Sequence, residues 1–239
     1  MANGRWLTKF GYNPDVDAST APEDLIYGGG NTYFPAAAIA AADIDIVSTD
    51  VNDDGDPAST GALTLTIEGL DSNWLLQKET VTLDGQTDVH PVNDYLRLFR
   101  AYVATAGSTG TNEGIITIDD GAGNTFCTIG AGEGQTLLLA YTIAADYLAG
   151  YLYDLHITVA SSNATAKVVQ ARLQTRTDGG AWQTKTILAA STDGLGEMHW
   201  AGSGLKLPPK TDIRVTLFDA SADNIPVAGH VLLYLREAE

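Results

Sequence analysis

Apolar and polar residues alternate at a period of two over much of this chain, and this pattern most constrains its fold. After residue 60 the alternation places apolar side chains on one face and polar side chains on the other, which is typical of half-buried β-strands. It is clearest in the runs Leu63–Glu68, Val169–Gln174 and Ile213–Phe218, while a last run, Val231–Arg236, is apolar on both faces. The residues predicted to form the core are Leu65, Ile67, Val169, Leu173, Val215 and Leu233.

Turn sequences separate these runs. They are Asp84-Gly85, Asn112-Glu113-Gly114, Asp120–Asn124 and Asp178-Gly179-Gly180. Their spacing of roughly 8–15 residues is typical of antiparallel β architectures. The sequence therefore predicts an all-β protein, an antiparallel β-sandwich or jelly-roll-like fold with an extended N-terminal arm. The one candidate helix is the segment Ala36–Ala42, about two turns long, which follows Pro35.

Three regions are predicted along the chain: an N-terminal arm over 1–42, a first β region over 43–132 and a second β-sandwich region over 133–239. The glycine-rich stretch Gly130–Gly134 is the expected junction between the two β regions. Charge also changes near this point, since residues 1–134 carry 20 acidic and 5 basic side chains, whereas residues 135–239 carry 10 and 8. Two regions with different surroundings and drift within a single domain both explain such a step, so one β domain and two stay open.

The balance of charge and the cysteine count exclude several classes of function. With 13 basic and 30 acidic residues the formal net charge is −17, so we expect no nucleic-acid partner and no binding to acidic membranes. The single cysteine, Cys127, excludes an internal disulfide framework and a cysteine-rich zinc site. The N-terminal sequence Met-Ala-Asn-Gly-Arg-Trp has no apolar stretch of signal-peptide length, and no run reaches the length of a transmembrane helix. The expectation is a soluble protein made in a reducing cytoplasm.

One segment resembles a metal-binding motif. Asp50–Asp56 has the sequence DVNDDGD, which matches the first half of a calcium loop. A complete loop needs a bidentate Glu at its twelfth position, and here that position is Gly61. A solvated acidic β-loop is the alternative, and it is the interpretation that we favour.

Other candidate chemistries have less support. Four histidines, too far apart for any two to share a local element, are expected to be isolated rather than a zinc site. They are His90, His156, His199 and His230. Asp119 and Asp120 form an acidic pair of the kind that glycosidases use, but any acidic β protein offers such pairs by chance. Ser203 lacks the glycine two positions earlier that a nucleophile elbow requires. The sequence therefore predicts no catalytic residue, no metal site, no cofactor and no enzymatic activity.

The predicted arm is rich in aromatic residues. Six aromatic side chains fall within residues 1–42, against thirteen in the other 197 residues. They are Trp6, Phe10, Tyr12, Tyr27, Tyr33 and Phe34. Aromatic residues on an irregular polar segment need a surface to bury against, so we expect these six to bind a partner subunit. Packing against the chain's own β-sandwich is the alternative.

Short motifs along most of the chain resemble a known family. They are Lys9–Asp17, Pro22–Gly30, Thr60–Ala62, Gly69–Asp71, Glu79–Gly85, Leu96-Arg97 with Arg100-Ala101, Gly107–Asn112, Gly132–Leu137 and Leu207–Ile213. As a set, these turns and strand starts resemble a family of virion structural proteins of tailed bacteriophages. The acidic segment Asp53–Asp56 is less typical of that family, and no role is assigned to it.

The resemblance implies a structural virion component. We expect a capsid decoration or cement protein, a homotrimer assembled in the bacterial host cytoplasm, which clamps subunits of the major capsid protein from the capsid exterior. An exterior position also suits the acidic chain, because packaged DNA would repel it. The alternative is a fibre or tail-associated protein that recognises a host glycan, and a polysaccharide depolymerase is a third hypothesis.

Overall fold

The computed structural model describes residues 3–28, 30–160 and 166–237. Within these ranges the protein is all-β and its sheets are antiparallel, as the alternation predicts. The strands are β1 (Gly4–Val16), β2 (Glu23–Asp24), β3 (Asp45–Ser48), β4 (Ala62–Leu70), β5 (Leu76–Thr82), β6 (Arg97–Ala106), β7 (Ile116–Asp119), β8 (Thr125–Ile129), β9 (Ala140–Thr142), β10 (Tyr147–Val159), β11 (Val168–Thr177), β12 (Gln183–Ser191), β13 (Gly196–His199), β14 (Leu205–Leu207), β15 (Thr211–Ala220) and β16 (Ile225–Glu237). In the part of the chain that the structure describes, no helix is long and apolar enough to span a membrane.

The chain forms two compact units. The terminal unit contains both ends of the chain, Met1–Asn31 and Leu137–Glu239, and the inserted unit is Thr32–Thr136. The sequence predicted boundaries after residues 42 and 132, whereas the chain passes between the units after Asn31 and after Thr136. The inserted unit carries 16 acidic and 3 basic side chains, and the terminal unit carries 14 and 10. Most of the net negative charge therefore lies in the inserted unit.

The terminal unit is built from two antiparallel sheets. In the first, which we call the long sheet, β1, β16, β10 and β13 lie side by side in that order, and β14 also pairs with β10. In the second, β12, β11, β15 and β2 lie side by side, and β9 also pairs with β15. Strands β1, β10 and β16 are 13 residues each. Their inward side chains, such as Leu152, Leu155 and Leu233, are completely buried.

Strand β1 stands where the sequence predicted an irregular arm over 1–42. It pairs with β16 along its whole length. The sequence does not reveal this strand because its pattern is inverted: the polar residues Lys9 and Asn13 face inward and are buried, and aromatic residues alternate with them on the outward face. Asn13 donates a hydrogen bond of 2.9 Å to a carboxylate oxygen of Glu23, which satisfies its buried amide.

The inserted unit contains two three-stranded antiparallel sheets. One has the order β3, β7, β8 and the other has the order β5, β4, β6. Side chains from both sheets are fully buried, among them Ile67 of β4, Ile118 of β7 and Phe126 of β8. Each sheet therefore contributes to the apolar core of this unit.

The prediction of a helix over Ala36–Ala42 is wrong. Ile39 forms an antiparallel bridge with Tyr95, in which each residue donates its N–H to the other's carbonyl. A short 3-10 turn follows over Ala41–Asp43, and the Ala41 N–H donates to a carboxylate oxygen of Asp94. Two helical turns hold too few hydrogen bonds to be stable alone, so the backbone pairing with Tyr95 prevails.

The predicted core and turns agree with the structure. All six predicted core side chains have a relative exposure of 0%. Three of the predicted turns place glycine in the left-handed region, with φ of 57° at Gly85, 64° at Gly121 and 69° at Gly179. The period-two pattern thus identifies the inward face of these strands correctly.

Candidate functional site

The outward face of the long sheet gathers aromatic, histidine and carboxylate side chains. We call this surface the aromatic–histidine face. Its residues are Trp6, Phe10 and Tyr12 of β1, Tyr151, Tyr153, Asp154 and His156 of β10, Glu197 and His199 of β13, and His230 and Tyr234 of β16. They belong to the terminal unit.

Trp6 forms the centre of the aromatic part of this face. Its ring centroid lies 5.0 Å from that of Tyr153 and 5.1 Å from that of Tyr234, with the rings tilted in both pairs. Tyr151 extends the cluster, with its ring centroid 6.4 Å from that of Tyr234. Trp6 is nevertheless 59% exposed, and Phe10 on the same strand is 41% exposed. Exposed aromatic clusters of this kind are typical of binding surfaces.

Strand register brings three of the four histidines together. His230 of β16 lies opposite His156 of β10, and His156 lies opposite Glu197 of β13. In the neighbouring row, Asp154 lies opposite His199. The sequence-based expectation of isolated histidines is therefore wrong for these three, because sheet pairing joins residues that are up to 74 positions apart.

The histidine cluster is tightly connected. The imidazole rings of His156 and His230 are stacked, with centroids 4.6 Å apart, and the ring of His199 meets that of His156 edge-on at 5.2 Å. Asp154 Oδ1 lies 2.5 Å from His199 Nδ1, a short hydrogen-bond distance. Glu197 Oε2 lies 3.6 Å from His199 Nε2 and 3.8 Å from His156 Nδ1. Two carboxylates thus flank two imidazoles on one surface.

The cluster shifts two histidine pKa values in opposite directions. The hydrogen bond to Asp154 raises the pKa of His199, with help from the negative charge of Glu197. Burial lowers the pKa of His230, and the neighbouring ring of His156 lowers it further. The cluster therefore favours the protonated form of His199 and the neutral form of His230.

A shallow cleft of about 430 Å³ lies beside the stacked histidines. Its lining residues are Phe10, Gly11, Tyr12, His156, Thr158, Leu195, Ala228, Gly229 and His230. This lining combines small residues with aromatic and histidine rings, which suits a flat ligand group or an inserted side chain.

The six aromatic residues predicted to bind a partner do not share one unit. Trp6, Phe10 and Tyr12 lie on the outward face of β1, and the half-buried Tyr27 belongs to the same terminal unit. The other two lie in the inserted unit. There Tyr33 packs on Phe126, with ring centroids 5.0 Å apart, and Phe34 lies under the guanidinium group of Arg97 at 5.4 Å. Gly29, within the predicted arm, lies outside the described residues.

The acidic segment Asp50–Asp56 is organised around Asp53, which is completely buried. Both carboxylate oxygens of Asp53 accept two hydrogen bonds each. The donors are Ser48 Oγ (2.6 Å) and the backbone N–H groups of Ala62 (2.8 Å), Glu113 (2.8 Å) and Gly114 (2.9 Å). The central carboxylate of the calcium-like motif therefore holds three backbone segments together.

The acidic pair considered for glycosidase chemistry has a local structural role. Asp119 Oδ1 accepts a hydrogen bond from Gly121 N–H, and Asp120 accepts from the backbone N–H groups of Ala122 and Asn124. These bonds shape the turn between β7 and β8. Ser203 lies exposed in the loop before β14.

Sequence reasoning missed the carboxylate–histidine pairs of the aromatic–histidine face. A signal was present: Asp154-Leu155-His156 and Glu197-Met198-His199 each place an acid and a histidine two residues apart. On a strand, that spacing puts both side chains on one face. The sequence contains no signal that the two strands are neighbours.

Comparisons with known proteins give no relative. No family model and no curated protein matches the chain. A structure of the infectious bursal disease virus Gt strain aligns over 98% of this chain and 82% of that chain, with 9% identity and a TM-score of 0.13. The crystal structure of the VP2 subviral particle of the same virus aligns over 98% and 81%, with 9% identity and a TM-score of 0.13. At these TM-scores neither structure carries an argument about fold or function.

Proposed function

We propose that this chain is a structural component of a tailed-phage virion, a capsid decoration protein on the outside of the shell. In this proposal the aromatic–histidine face of the long sheet binds the major capsid protein or further copies of the chain within a homotrimer. The observation that carries the proposal is the exposure of Trp6 and Phe10 on a regular, well-paired strand. A rigid strand presents such anchors with little loss of conformational entropy on binding.

The position of β1 in its sheet supports a docking role. β1 stands at one end of the strand order of the long sheet, next to β16. Edge strands present backbone groups that a strand from another chain can pair with, while alternate side chains supply specificity. On β1 those alternate side chains are Trp6, Phe10 and Tyr12.

The distribution of charge fits the same proposal. The inserted unit has a large excess of acidic side chains, whereas acidic and basic side chains are nearly balanced in the terminal unit. Because like charges repel, a surface that associates with copies of itself is better placed in the balanced unit. The excess of acid in the inserted unit suits a surface that stays in solvent on a particle filled with DNA.

A β-sandwich of jelly-roll type in the terminal unit is part of this proposal. Two five-stranded antiparallel sheets, each with fully buried side chains such as Leu155 and Leu173, support it. Such a fold is stable without disulfides, in keeping with the single cysteine, Cys127, which is buried in the inserted unit.

The copy number of the chain in a purified particle tests the proposal. Native mass spectrometry or quantitative gel analysis of particles from a phage that encodes this chain should give hundreds of copies. A few tens or fewer would favour a fibre or tail position instead. Absence of the chain from the particle would overturn a virion role altogether.

Glycan recognition by a fibre or tail-associated protein is the second candidate function. The rings of Trp6, Tyr153 and Tyr234 and the adjacent cleft favour it, because sugar rings stack on exposed aromatic side chains. A glycan array distinguishes the candidates: binding that depends on Trp6 would support recognition, and an empty array would support decoration. Release of reducing sugar from a host polysaccharide would instead indicate a depolymerase.

A further inference from the structure

We propose that Asp154, His156 and His199 bind a divalent transition metal ion, and that Glu197 supplies a fourth ligand. By ligand chemistry the ion is Zn²⁺. The site is independent of the virion role proposed above, because it rests on the histidine cluster alone.

The local geometry of two strands builds the site. Asp154 and His156 lie two residues apart on β10, and Glu197 and His199 lie two residues apart on β13. Each pair therefore projects from one face of its strand. Asp154 pairs directly with His199, and His156 pairs directly with Glu197. The four side chains therefore form a square in which each carboxylate has an imidazole as its neighbour, both along its own strand and across to the other strand.

Distances within the square are close to those of a metal site. The ligand atoms of Asp154, His156 and His199 all lie within 4.8 Å of one another. Around tetrahedral zinc, nitrogen and oxygen ligands at about 2.0–2.2 Å are separated by about 3.4 Å. Glu197 Oε2, at 3.6 Å from His199 Nε2 and 3.8 Å from His156 Nδ1, is already near that spacing, whereas Asp154 Oδ1 lies at the other ring nitrogen of His199, 2.5 Å from Nδ1. The His199 ring has to turn before one of its nitrogens faces an ion held by both carboxylates. His199 and Glu197 are at least half exposed, which leaves room for both side chains to rotate.

The donor set selects the class of metal. Two imidazole nitrogens and two carboxylate oxygens suit zinc and its transition-metal neighbours, whereas calcium and magnesium prefer shells of oxygen atoms. Two carboxylates also balance the double charge of the ion. His230 stacks on His156 and fixes the plane of that ring, which is the role of a positioning residue beside a metal ligand.

Binding would connect β13 to β10 more firmly. β13 has four residues and ends the strand order of the long sheet, so its pairing with β10 is short. A metal ion held by both strands stabilises the folded chain as its concentration rises, since a ligand of the folded state shifts the unfolding equilibrium.

Titration of the full chain with Zn²⁺ tests the site. The chain is prepared without a polyhistidine tag, freed of metal with EDTA and titrated by calorimetry. We expect one equivalent of Zn²⁺ to bind, the melting temperature to rise with Zn²⁺, and Ca²⁺ or Mg²⁺ to have no effect. Substituted Co²⁺ should give the visible absorption of a tetrahedral site.

Variants locate the binding. His199→Ala and Asp154→Asn should each weaken Zn²⁺ binding by at least about tenfold, since removal of even an outer-shell partner of a metal ligand costs about that much. Both side chains are partly exposed, so the fold tolerates these changes. His90→Ala is the matched control, because His90 also faces a carboxylate, with Nδ1 3.3 Å from Asp45 Oδ1, but lies in the inserted unit. Absence of stoichiometric binding, or equal loss in the His90 control and the cluster variants, would overturn the proposal.

Discussion

His156 and His230 face each other across the β10–β16 pair, and their imidazole rings stack with centroids 4.6 Å apart and planes within 10°. A positive charge on the His156 ring opposes protonation of the His230 ring, and burial of His230 opposes it too.

This pairing predicts that His230 contributes to the stability of the folded chain and that the contribution is lost at acid pH. Burial, with the charge of His156, lowers its pKa in the folded state below the unfolded value of about 6.5. The contribution of His230 to stability is thus fully present above about pH 6.5 and is lost as the pH falls through the folded pKa. Urea unfolding can be measured at several pH values in the presence of EDTA. The free energy of unfolding should fall less on acidification for His230→Gln than for the unsubstituted chain.

His199 is the internal control for that experiment. Its pKa is raised by the hydrogen bond to Asp154, so its contribution is present below the unfolded pKa and is lost as the pH rises through the folded pKa. His199→Gln should therefore reduce stability at acid pH, the opposite of His230→Gln. The same sign for both variants would contradict the interpretation of the cluster.

Asp53→Ala should destabilise the inserted unit strongly. The substitution leaves one hydroxyl and three backbone N–H groups around a buried position without their acceptor. At about 1–3 kcal/mol for each buried unsatisfied group, we expect a loss of at least about 3 kcal/mol in the free energy of unfolding. Asp56→Ala, in the exposed part of the same loop, should change it by only about 0.5 kcal/mol. Chemical denaturation of both variants checks this, and equal losses would mean that Asp53 is not the organising carboxylate.

The core residues were predictable because each sits in a strand whose inward face is largely apolar. Leu65→Ala and Leu173→Ala should each cost about 2–5 kcal/mol, the sum of the lost transfer free energy and the cavity left behind. Thr64→Ala and Gln170→Ala, on the outward sides of the same strands, should be within about 0.5 kcal/mol of the natural chain. Similar melting shifts for both sets would mean a register error of one residue.

The aromatic–histidine face was less predictable for a physical reason. On β1 the burial of Lys9 and Asn13 reverses the usual sense of the pattern, so alternation of apolar and polar residues identifies the wrong face as inward. Likewise, the meeting of His156 with His199 depends on which strands are neighbours and in which register. Both are set by long-range pairing, which local periodicity does not encode.

Gly11 explains part of the close packing beneath that face. A β-carbon at this position would lie 2.5 Å from Leu139 N and 2.5 Å from Leu25 O, both of them backbone atoms. Because backbone on two sides cannot move away, Gly11→Ala should destabilise the chain by at least about 2 kcal/mol. Gly194→Ala is the control, since its nearest neighbour would be Ser191 Oγ at 3.5 Å. Thermal unfolding of the two variants tests whether this contact, rather than any loss of glycine, is responsible.

The double substitution Trp6→Ala with Phe10→Ala tests the docking role of β1 more sharply than deletion of the N-terminal residues 2–20 does. Deleting residues 2–20 would remove β1 from the long sheet and expose Leu233 and its neighbours, so a loss of binding would then reflect unfolding. The double variant keeps the strand and removes only exposed rings. We expect a melting temperature close to that of the natural chain and a loss of binding to the shell, or of self-association, of at least about tenfold, the scale of an aromatic hot spot.

Ile187→Ala supplies the matched control for that variant. Ile187 is 57% exposed, nearly the same fraction as Trp6, but it lies on β12 in the other sheet of the terminal unit. Its truncation should leave both the melting temperature and the association unchanged, because an exposed apolar side chain outside the interface makes no contact there. Sedimentation and binding to shells that lack the protein measure both variants side by side. If Ile187→Ala weakened association as much as the double variant, general surface hydrophobicity would be the cause, and the assignment of the interface to the outward face of β1 would fail.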